Sequence, residues 1–385
     1  MKRRRSGYST RAIHGNGTTP PVGSPVSYPI HQSSTFVNPI GSPDDVLYTR
    51  YGNNPNQIRL GEKLAALEGS EDAILLSSGM GATSLAHMAV LSPGDHLIAS
   101  DWIYGGTKKL FRDEFERLGI DVSFANPAKS DGWKQHLRET TRAVFVETPT
   151  NPQVRVIDLG PLAELCKSSG ARLLVDATIA SPINFRPLEH GADIVIHSAT
   201  KYLNGHSDVI AGAVAGPSGV IERVRELMKM WGQAPDPHAV WLVERGLKTI
   251  AVRMATHNSN AQAFAEWASG HPKISKVTYP GLADHPDHEW ASRLYEGFGG
   301  MVGIVVCGGS PGATTLLRNL KLATHAPSFG GVETLVSEPR YTSHAGQSAA
   351  ELVKAEIGDG FVRVSVGIED VSDIISDFES ALNNQ

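Results

Sequence analysis

The chain has 385 residues, of which 41% are hydrophobic and 19% are charged, as in a globular protein with more than one folded unit. The formal net charge of -5 provides no overall basic field, which argues against a nucleic-acid-binding protein. No apolar run reaches the length that a membrane-spanning helix needs, so we expect no membrane partner.

The first 60 residues are rich in Pro, Gly, Ser, Thr and Asn, which argues against long helices in this region. They open with a basic run at 1–5 that no apolar segment follows, so we interpret the run as a solvated tail and not as a secretory signal. The region also carries apolar side chains such as Tyr28, Phe36 and Val37, which are costly to leave in water. We therefore expect residues 1–56 to form an extended arm that reaches a neighbouring subunit.

Predicted strands and helices alternate between residues 57 and 255. Short apolar runs predict strands at 73–76, 95–100, 121–125, 143–147, 172–176 and 194–197. Helical periodicity predicts helices at 57–67, 82–91, 107–118, 159–168 and 220–231. Repeated βα units of this kind predict an α/β domain with a mostly parallel sheet and helices on both faces.

A second unit is expected at 256–385. A predicted helix from residue 237 to residue 258 and beyond connects it to the first unit. Apolar strands are predicted at 300–307 and 361–366, and helices at 313–320 and 371–382. This mixture of strands and helices predicts a C-terminal α+β domain.

The sequence contains no convincing disulfide or metal-binding pattern. Cys166 and Cys307 are far apart in apolar stretches, which predicts buried thiols and a reducing cytoplasm. His285 and His288 are too close in sequence for a typical metal pair, and no further ligands are evident around them. We therefore expect no metal site.

A glycine-containing turn, 77–81, joins the strand predicted at 73–76 to the helix predicted at 82–91. This layout suits phosphate binding, because glycines let backbone N–H groups such as those of Gly79 and Met80 approach an anion at the helix N-terminus. The signal is weak by itself, since an ordinary βα turn also favours glycine. It is not a Walker loop, because no Gly-Lys-Ser/Thr follows.

Several polar residues fall where predicted strands end. Asn151, Asp176, Ser198 and Lys201 lie at or just after the C-terminal ends of strands, which is where α/β sheets bind ligands. A partly desolvated lysine in such a place is a candidate for imine formation with a carbonyl compound. The alternative is a solvent-facing loop lysine.

One cofactor accounts for these pieces together. Pyridoxal phosphate needs an imine-forming lysine, a phosphate cradle, an acid opposite its pyridine nitrogen and an aromatic ring to stack on. Lys201 supplies the lysine, Gly79 and Met80 the cradle, Asp176 the acid and Tyr104 the ring.

Short motifs along nearly the whole chain support this interpretation. They lie at 10–14, 48–53, 78–82, 104–107, 147–152, 175–178, 198–202, 245–249, 330–333 and 362–369. With them the sequence resembles the Cys/Met-metabolism family of pyridoxal-phosphate enzymes, which includes cystathionine γ-synthases, cystathionine γ- and β-lyases, methionine γ-lyases and O-acylhomoserine sulfhydrylases. The resemblance implies the aspartate-aminotransferase-like (type I) fold.

The resemblance also implies roles for individual residues. Lys201 forms the imine with the cofactor and then moves protons between substrate carbons. Tyr104 stacks on the cofactor ring and acts as acid and base at the leaving group. Ser198 and Thr200 complete the phosphate cup.

By the same resemblance, Tyr48 and Arg50 reach the phosphate bound by the neighbouring subunit, since the arginine fork can bind phosphate bidentately. The active sites are then shared between subunits, and the assembly expected from the family is a homotetramer built from two dimers.

Substrate contacts follow from the same comparison. The resemblance implies that Asn151 and Arg363 hold the substrate α-carboxylate, assisted by the backbone near Ser328. Lys109 stands where an arginine often meets a distal anionic group, and Arg340 is a second candidate for that contact. These cations predict a γ-substituent with a polar or anionic tail, although Arg340 equally suits a surface salt bridge.

The expected activity is α,γ-elimination from a γ-substituted L-amino acid, releasing a 2-oxobutanoate-type acid and ammonia. The alternative is a γ-replacement transferase that uses an O-acylhomoserine and a thiol, and a catalytically inactive binding homologue is a remote third possibility. Gly106 stands where methionine γ-lyases typically carry Cys, which argues against that activity. Leu47 and Pro327 stand where enzymes acting on cystathionine often carry an acid, which puts the contact with the distal ammonium of cystathionine in doubt.

Overall fold

The structure is a computed structural model that describes residues 6–16, 21–42, 46–129, 132–342, 345 and 356–384. The basic run at 1–5 lies outside these residues. Within the described part of the chain, no helix is both long and apolar enough to cross a membrane.

A seven-stranded sheet forms the centre of the larger domain. Its strands are β1 Asp72–Leu76, β2 His96–Ser100, β3 Asp121–Ala125, β4 Thr141–Glu147, β5 Arg172–Asp176, β6 Ile194–Ser198 and β7 Gly212–Gly216. They lie in the order β1-β7-β6-β5-β4-β2-β3, and the pairs from β6 to β3 are all parallel. The predicted mostly parallel sheet is therefore confirmed.

Strand β7 is absent from the sequence-based prediction. It runs antiparallel between β1 and β6, and its sequence is Gly-Ala-Val-Ala-Gly. Five small residues, only one of them β-branched, have little intrinsic strand preference. Pairing with two neighbouring strands, and not local propensity, makes this segment a strand.

Helices cover both faces of this sheet, as predicted. They are α1 Tyr8–His14, α2 Pro55–Glu68, α3 Gly79–Met88, α4 Gly105–Lys109, which continues as a π-helical segment Leu110–Phe115, α5 Gly160–Ser169, α6 Ser181–Asn184, α7 Ser218–Trp231 and α8 Pro237–Leu247. Successive side chains of β1 pack against helices on opposite faces of the sheet, because neighbouring residues of a strand point to opposite sides. Leu75 joins a buried cluster with Leu60 of α2, whereas Ile74 joins another with Leu85 of α3.

The C-terminal domain contains a second sheet of five strands. Its elements are α9 Ile250–Gly270, β8 Ile274–Thr278, α10 His288–Leu294, β9 Met301–Val306, α11 Gly309–Asn319, β10 Thr324–His325, β11 Leu335–Ser337, β12 Phe361–Ser365 and α12 Val371–Asn383. The order is β10-β11-β12-β9-β8, and the buried core includes Phe264 and Phe378. This is the expected α+β arrangement.

The predicted helix 237–258 is in fact two helices, because α8 ends at Leu247 and α9 begins at Ile250. Helix α9 then continues without a break past residue 255, the last residue assigned to the larger domain. One continuous helix therefore crosses the predicted boundary between the two units.

Part of the predicted N-terminal arm packs on its own chain. Ala12 of α1 is completely buried, and Arg11 Nη1 donates a 2.9 Å hydrogen bond to the carbonyl oxygen of Ala66 in α2.

The expectation of two buried thiols is wrong for Cys307, which is exposed, while Cys166 is buried. Cys307 directly follows the last residue of β9, where the chain leaves the sheet.

Candidate functional site

A cavity of about 630 Å³ lies at the carboxyl ends of β4, β5 and β6, where the C-terminal domain meets the larger sheet. Most of the residues that the sequence assigned to the site line this cavity. They are Gly79, Met80, Tyr104, Asn151, Asp176, Ser198, Thr200, Lys201, Ser328 and Arg363. The carboxyl ends of parallel strands meet at one edge of a sheet, so residues distant in sequence converge here.

Lys201 follows the end of β6 by three residues and is held by the C-terminal domain. Its Nζ donates a 2.7 Å hydrogen bond to Ser328 Oγ and lies 4.9 Å from the centre of the Phe329 ring. Burial, with a smaller contribution from the positive charge of Arg363, lowers the pKa of the Lys201 ammonium to about 8. An amine with this pKa is available in its neutral, nucleophilic form near neutral pH.

This lowered pKa predicts how fast apoenzyme takes up an aldehyde at different pH values. Only the neutral amine reacts, and its fraction at pH 8 is about half for a pKa of about 8, against about 0.3% for an unperturbed lysine. The uptake rate of pyridoxal phosphate, followed by absorbance, should therefore rise with pH and level off above about pH 9. A rate still rising steeply between pH 9 and 10 would contradict the lowered pKa of Lys201.

Arg363, in β12, forms an anion-binding group with its neighbours. Its Nη2 donates to the Ser328 carbonyl oxygen at 2.7 Å, and its Nη1 donates to Asn151 Oδ1 at 3.2 Å. Its buried Nε has no hydrogen-bond partner among the described residues. Burial lowers the pKa of Arg363 to about 10, so the guanidinium is still charged at neutral pH. A ligand carboxylate would satisfy this charge and the free donor.

Ser328 connects the lysine to the arginine. Its side chain accepts the hydrogen bond from Lys201, and its carbonyl accepts the one from Arg363. Its φ of +100° is a backbone conformation that residues other than glycine rarely adopt. Unfavourable backbone conformations of this kind cluster at functional sites, where the surrounding contacts maintain them.

Asp176, the last residue of β5, presents a carboxylate to the cavity. Its Oδ1 accepts from the backbone N–H of Thr178 at 2.9 Å and from the Thr178 hydroxyl at 2.5 Å. Both of these hydrogen bonds go to Oδ1, which leaves Oδ2 for a ligand. Burial raises the pKa of the Asp176 carboxyl, while its hydrogen bonds to Thr178 and the nearby His197 oppose the rise. A cationic N–H donor on a ligand would favour the ionised carboxylate.

The N-terminus of α3 closes one end of the cavity. A side chain at Gly79 would place its Cβ 2.7 Å from the Cβ of Ser198, so only glycine allows this helix to approach the end of β6. Ser78 Oγ accepts from the N–H of Gly81 at 3.0 Å, while the N–H groups of the first turn have no intrahelical acceptor. Such a terminus suits a phosphate group.

The two hydroxyl residues of the predicted phosphate cup differ in their surroundings. Ser198 contacts Gly79 at the helix terminus, and its backbone N–H donates to Thr178 Oγ1 at 2.8 Å. The Thr200 hydroxyl donates to the carbonyl oxygen of Ala211 at 3.2 Å and accepts from its N–H at 3.0 Å. The helix terminus at Gly79 with Ser198, the amine of Lys201 and the acid at Asp176 together fit pyridoxal phosphate.

Four predicted site residues do not line the cavity within this chain: Tyr48, Arg50, Lys109 and Arg340. Arg50 is exposed and donates to the carbonyl oxygen of Lys229 at 2.5 Å, with its guanidinium 5.5 Å from the Tyr48 ring centre. In the single chain, this pair lies apart from the residues that line the cavity.

The two cations predicted to recognise an anionic tail are already paired with carboxylates. Lys109 Nζ lies 2.7 Å from Asp113, with 80% of its side chain exposed. Arg340 Nη1 lies 2.8 Å from Asp359 and also bonds to Ser310. Among the lining residues that the structure describes, the charged ones are Glu147, Asp176, Lys201 and Arg363, and the mouth of the cavity carries Ile210 and Tyr341 instead.

We therefore expect Lys109→Ala and Arg340→Ala to change kcat/KM by less than about twofold, because both side chains are paired with carboxylates and neither lines the cavity. The factor should be the same for O-succinylhomoserine, with an anionic tail, and for O-acetylhomoserine, without one. Steady-state kinetics of both variants with both substrates provide the measurement. A loss confined to the succinyl substrate would support the sequence-based assignment of these cations.

One buried acid in the site received no role from the sequence. Glu147, the last residue of β4, lines the cavity and lies beside Asp176 in the register of β4 and β5. Its position at a strand end in the 147–152 motif was the available signal. The sequence motif alone does not reveal which groups this carboxyl contacts.

Comparisons with known proteins agree with this geometry. A family model described as "Cys/Met metabolism PLP-dependent enzyme" matches residues 9–383. Cystathionine γ-synthase of Mycobacterium tuberculosis is 42% identical over 380 residues, covering 98% of this chain and 97% of that protein. L-methionine γ-lyase of Fusobacterium nucleatum subsp. nucleatum is 39% identical over 394 residues, covering 99% of both chains.

Solved structures show the same similarity. A crystal structure of cystathionine γ-synthase from Xanthomonas oryzae pv. oryzae, in complex with cystathionine, has a TM-score of 0.94 and 36% identity, and the match covers 98% of both chains.

Proposed function

Because the chain belongs to the Cys/Met metabolism family of pyridoxal-phosphate-dependent enzymes, we propose that it catalyses α,γ-elimination from a γ-substituted L-amino acid. The products are the leaving group, 2-oxobutanoate and ammonia. The observation that carries this proposal is the convergence of Lys201, with its lowered pKa, and the Arg363–Asn151 pair on one cavity. An imine-forming lysine and a carboxylate-binding group that line the same cavity suit an α-amino acid.

Each residue of the site has a task in this reaction. Pyridoxal phosphate, when bound, supplies a protonated ring that withdraws electrons from the substrate Cα–H bond. Arg363 and Asn151 hold the α-carboxylate and so orient that bond. Lys201 removes the proton from Cα and then a proton from Cβ, and Tyr104 donates a proton to the leaving group as its bond to Cγ breaks. The net reaction consumes one water and releases ammonia.

The proposed active enzyme is a homotetramer whose active sites are shared between subunits. Val22, Val26, Val37 and Ile40 are fully exposed in the single chain. Four such apolar side chains along one segment are costly in water, which supports their burial against a second copy. The same contact would carry Tyr48 and Arg50 to the phosphate in the neighbouring subunit.

Both cysteines are free thiols, which supports the cytoplasm as the location.

A second candidate function is γ-replacement, in which a thiol takes the place of the leaving group. One observation favours it: the relative from Mycobacterium tuberculosis is named for a synthase. The relative from Fusobacterium nucleatum is named for a lyase. The two reactions use the same residues up to departure of the leaving group.

A substrate panel on cofactor-loaded protein tests the proposal. It contains methionine, homocysteine, cystathionine, O-acetylhomoserine and O-succinylhomoserine, each with and without cysteine or sulfide. We expect ammonia and 2-oxobutanoate in equal amounts without added thiol. A new thioether or thiol amino acid with little oxo acid would show a replacement enzyme instead, and no product from any substrate would refute both reactions.

A further inference from the structure

Glu147 accepts two backbone hydrogen bonds from residues that have different tasks in the proposed reaction. Its Oε2 accepts from the N–H of Tyr104 at 2.7 Å, and its Oε1 accepts from the N–H of Asn151 at 2.8 Å. Tyr104 is the proposed acid at the leaving group, and Asn151 contacts Arg363, which is proposed to bind the carboxylate. The residue itself is only 6% exposed, so neither hydrogen bond competes freely with water.

We propose that Glu147 is a positioning residue that sets the distance between the leaving-group end and the carboxylate end of the substrate site. The inference rests on the proposed function, since it concerns the same cavity. Glu147 acts through Tyr104 and Asn151, because both of its carboxyl oxygens are directed to their backbone N–H groups. The loops that carry these two residues are thereby joined through one carboxyl group.

The chemistry of this contact requires a carboxyl group with two acceptor oxygens on one carbon. Glutamine offers one acceptor, and its NH₂ group would face the second N–H donor, so one of the two hydrogen bonds is lost. Aspartate keeps both oxygens but is one methylene shorter, so it withdraws from both donors. The two substitutions at Glu147 therefore perturb the contacts in different ways.

The surroundings of Glu147 make its ionised carboxylate energetically unfavourable. Burial, and then the neighbouring Asp176, raise the pKa of the Glu147 carboxyl well above its usual range, while its two backbone hydrogen bonds oppose the rise. A second acid beside Asp176 is unfavourable electrostatically. Its contacts with Tyr104 and Asn151 are the compensating interactions that the structure provides.

The first readout is the dependence of kcat on the leaving group. A thiolate is more basic than a carboxylate, so departure of cysteine from cystathionine needs a proton from Tyr104 more than departure of acetate from O-acetylhomoserine. A displaced Tyr104 should therefore lower kcat more for cystathionine than for O-acetylhomoserine. We expect kcat for cystathionine divided by kcat for O-acetylhomoserine to fall about tenfold in Glu147→Asp, the effect of about one hydrogen bond.

The second readout reports the carboxylate end without turnover. L-norleucine has the amine and the carboxylate but no leaving group, and its dissociation constant can be measured from the absorption of the bound cofactor. We expect this constant to rise about tenfold in Glu147→Asp. In Glu147→Gln, only one of the two readouts should change, because the amide keeps one of the two hydrogen bonds.

Glu244→Gln is the matched control for a general loss of stability. Glu244 is 2% exposed, and its carboxylate pairs with Lys63 at 2.8 Å outside the cavity lining. This variant should have a lower Tm, with the kcat ratio and the norleucine dissociation constant unchanged. If both Glu147 variants behave like this control, or leave both readouts within twofold of the parent enzyme, the positioning role is refuted.

The two proposals fail separately. If the parent enzyme forms no product from any substrate, the proposed function is wrong. The norleucine dissociation constants of the parent enzyme and the Glu147 variants then still decide whether Glu147 positions the carboxylate end.

Discussion

Lys201→Ala is expected to lower kcat/KM by on the order of 10⁴-fold, the upper range for loss of a proton-transferring side chain. Lys201 carries the only primary amine among the described residues that line the cavity, and its pKa of about 8 suits both proton removal and return. Oxo-acid release by purified, cofactor-saturated protein is the measurement.

The control for this experiment is Lys109→Ala, which removes an exposed lysine outside the cavity lining. Both proteins should unfold at similar temperatures, since Lys201 makes only one side-chain hydrogen bond, to Ser328, within the described chain. Exogenous methylamine should restore part of the activity of the Lys201→Ala protein if the missing function is proton transfer. Retention of more than a tenth of the activity by Lys201→Ala would show that another group is the base.

Arg363→Lys is expected to lower kcat/KM by about 10² to 10³-fold, the range for removing one partner of a buried, hydrogen-bonded charge pair. Lysine keeps the charge but cannot reproduce the planar fork that contacts Asn151, Ser328 and a carboxylate together. Most of the loss should be in KM. Steady-state kinetics with O-acetylhomoserine give both parameters.

A substrate without the carboxylate provides the control for Arg363. The parent enzyme should react poorly with the analogue of O-acetylhomoserine that lacks the carboxylate, and Arg363→Lys should lower that residual rate by much less. An equal loss on both compounds would contradict carboxylate recognition. In Arg363→Leu, removal of the positive charge should raise the pKa of Lys201, so the pH at which cofactor uptake levels off should move upward.

Local sequence patterns were sufficient for most of the larger domain. Apolar runs and helical periodicity predicted β1 to β6 and the helices α2, α3, α4, α5 and α7, because each of these elements buries a regular set of side chains. The short helices α1 and α6 were not predicted. Strand β7 could not be found this way, since its small residues become a strand through pairing with β1 and β6. The division of the predicted helix 237–258 at residues 248–249 was likewise not visible in the periodicity.

The candidate site divides in the same way. Lys201, Asp176 and Asn151 were predictable because polar residues at the carboxyl ends of parallel strands lie together at one edge of the sheet. The pairing of Lys109 with Asp113 and of Arg340 with Asp359 was not, because which charges neutralise each other depends on side-chain approach. Tyr48 and Arg50 remain predictions for a contact with another subunit.

The amino-acid sequence by itself determined the family and its cofactor, and it predicted a lysine for the imine, an acid for the ring nitrogen and a cradle for phosphate, each in a motif of adjacent residues. Only the tertiary structure decided how these motifs act on one another. The lowered pKa of Lys201 comes from burial and from Arg363, a residue 162 positions away in sequence but close in space. The two hydrogen bonds of Glu147 depend in the same way on loops that the sheet brings together. Electrostatic and hydrogen-bond energies depend on distance in space, which local sequence patterns do not specify.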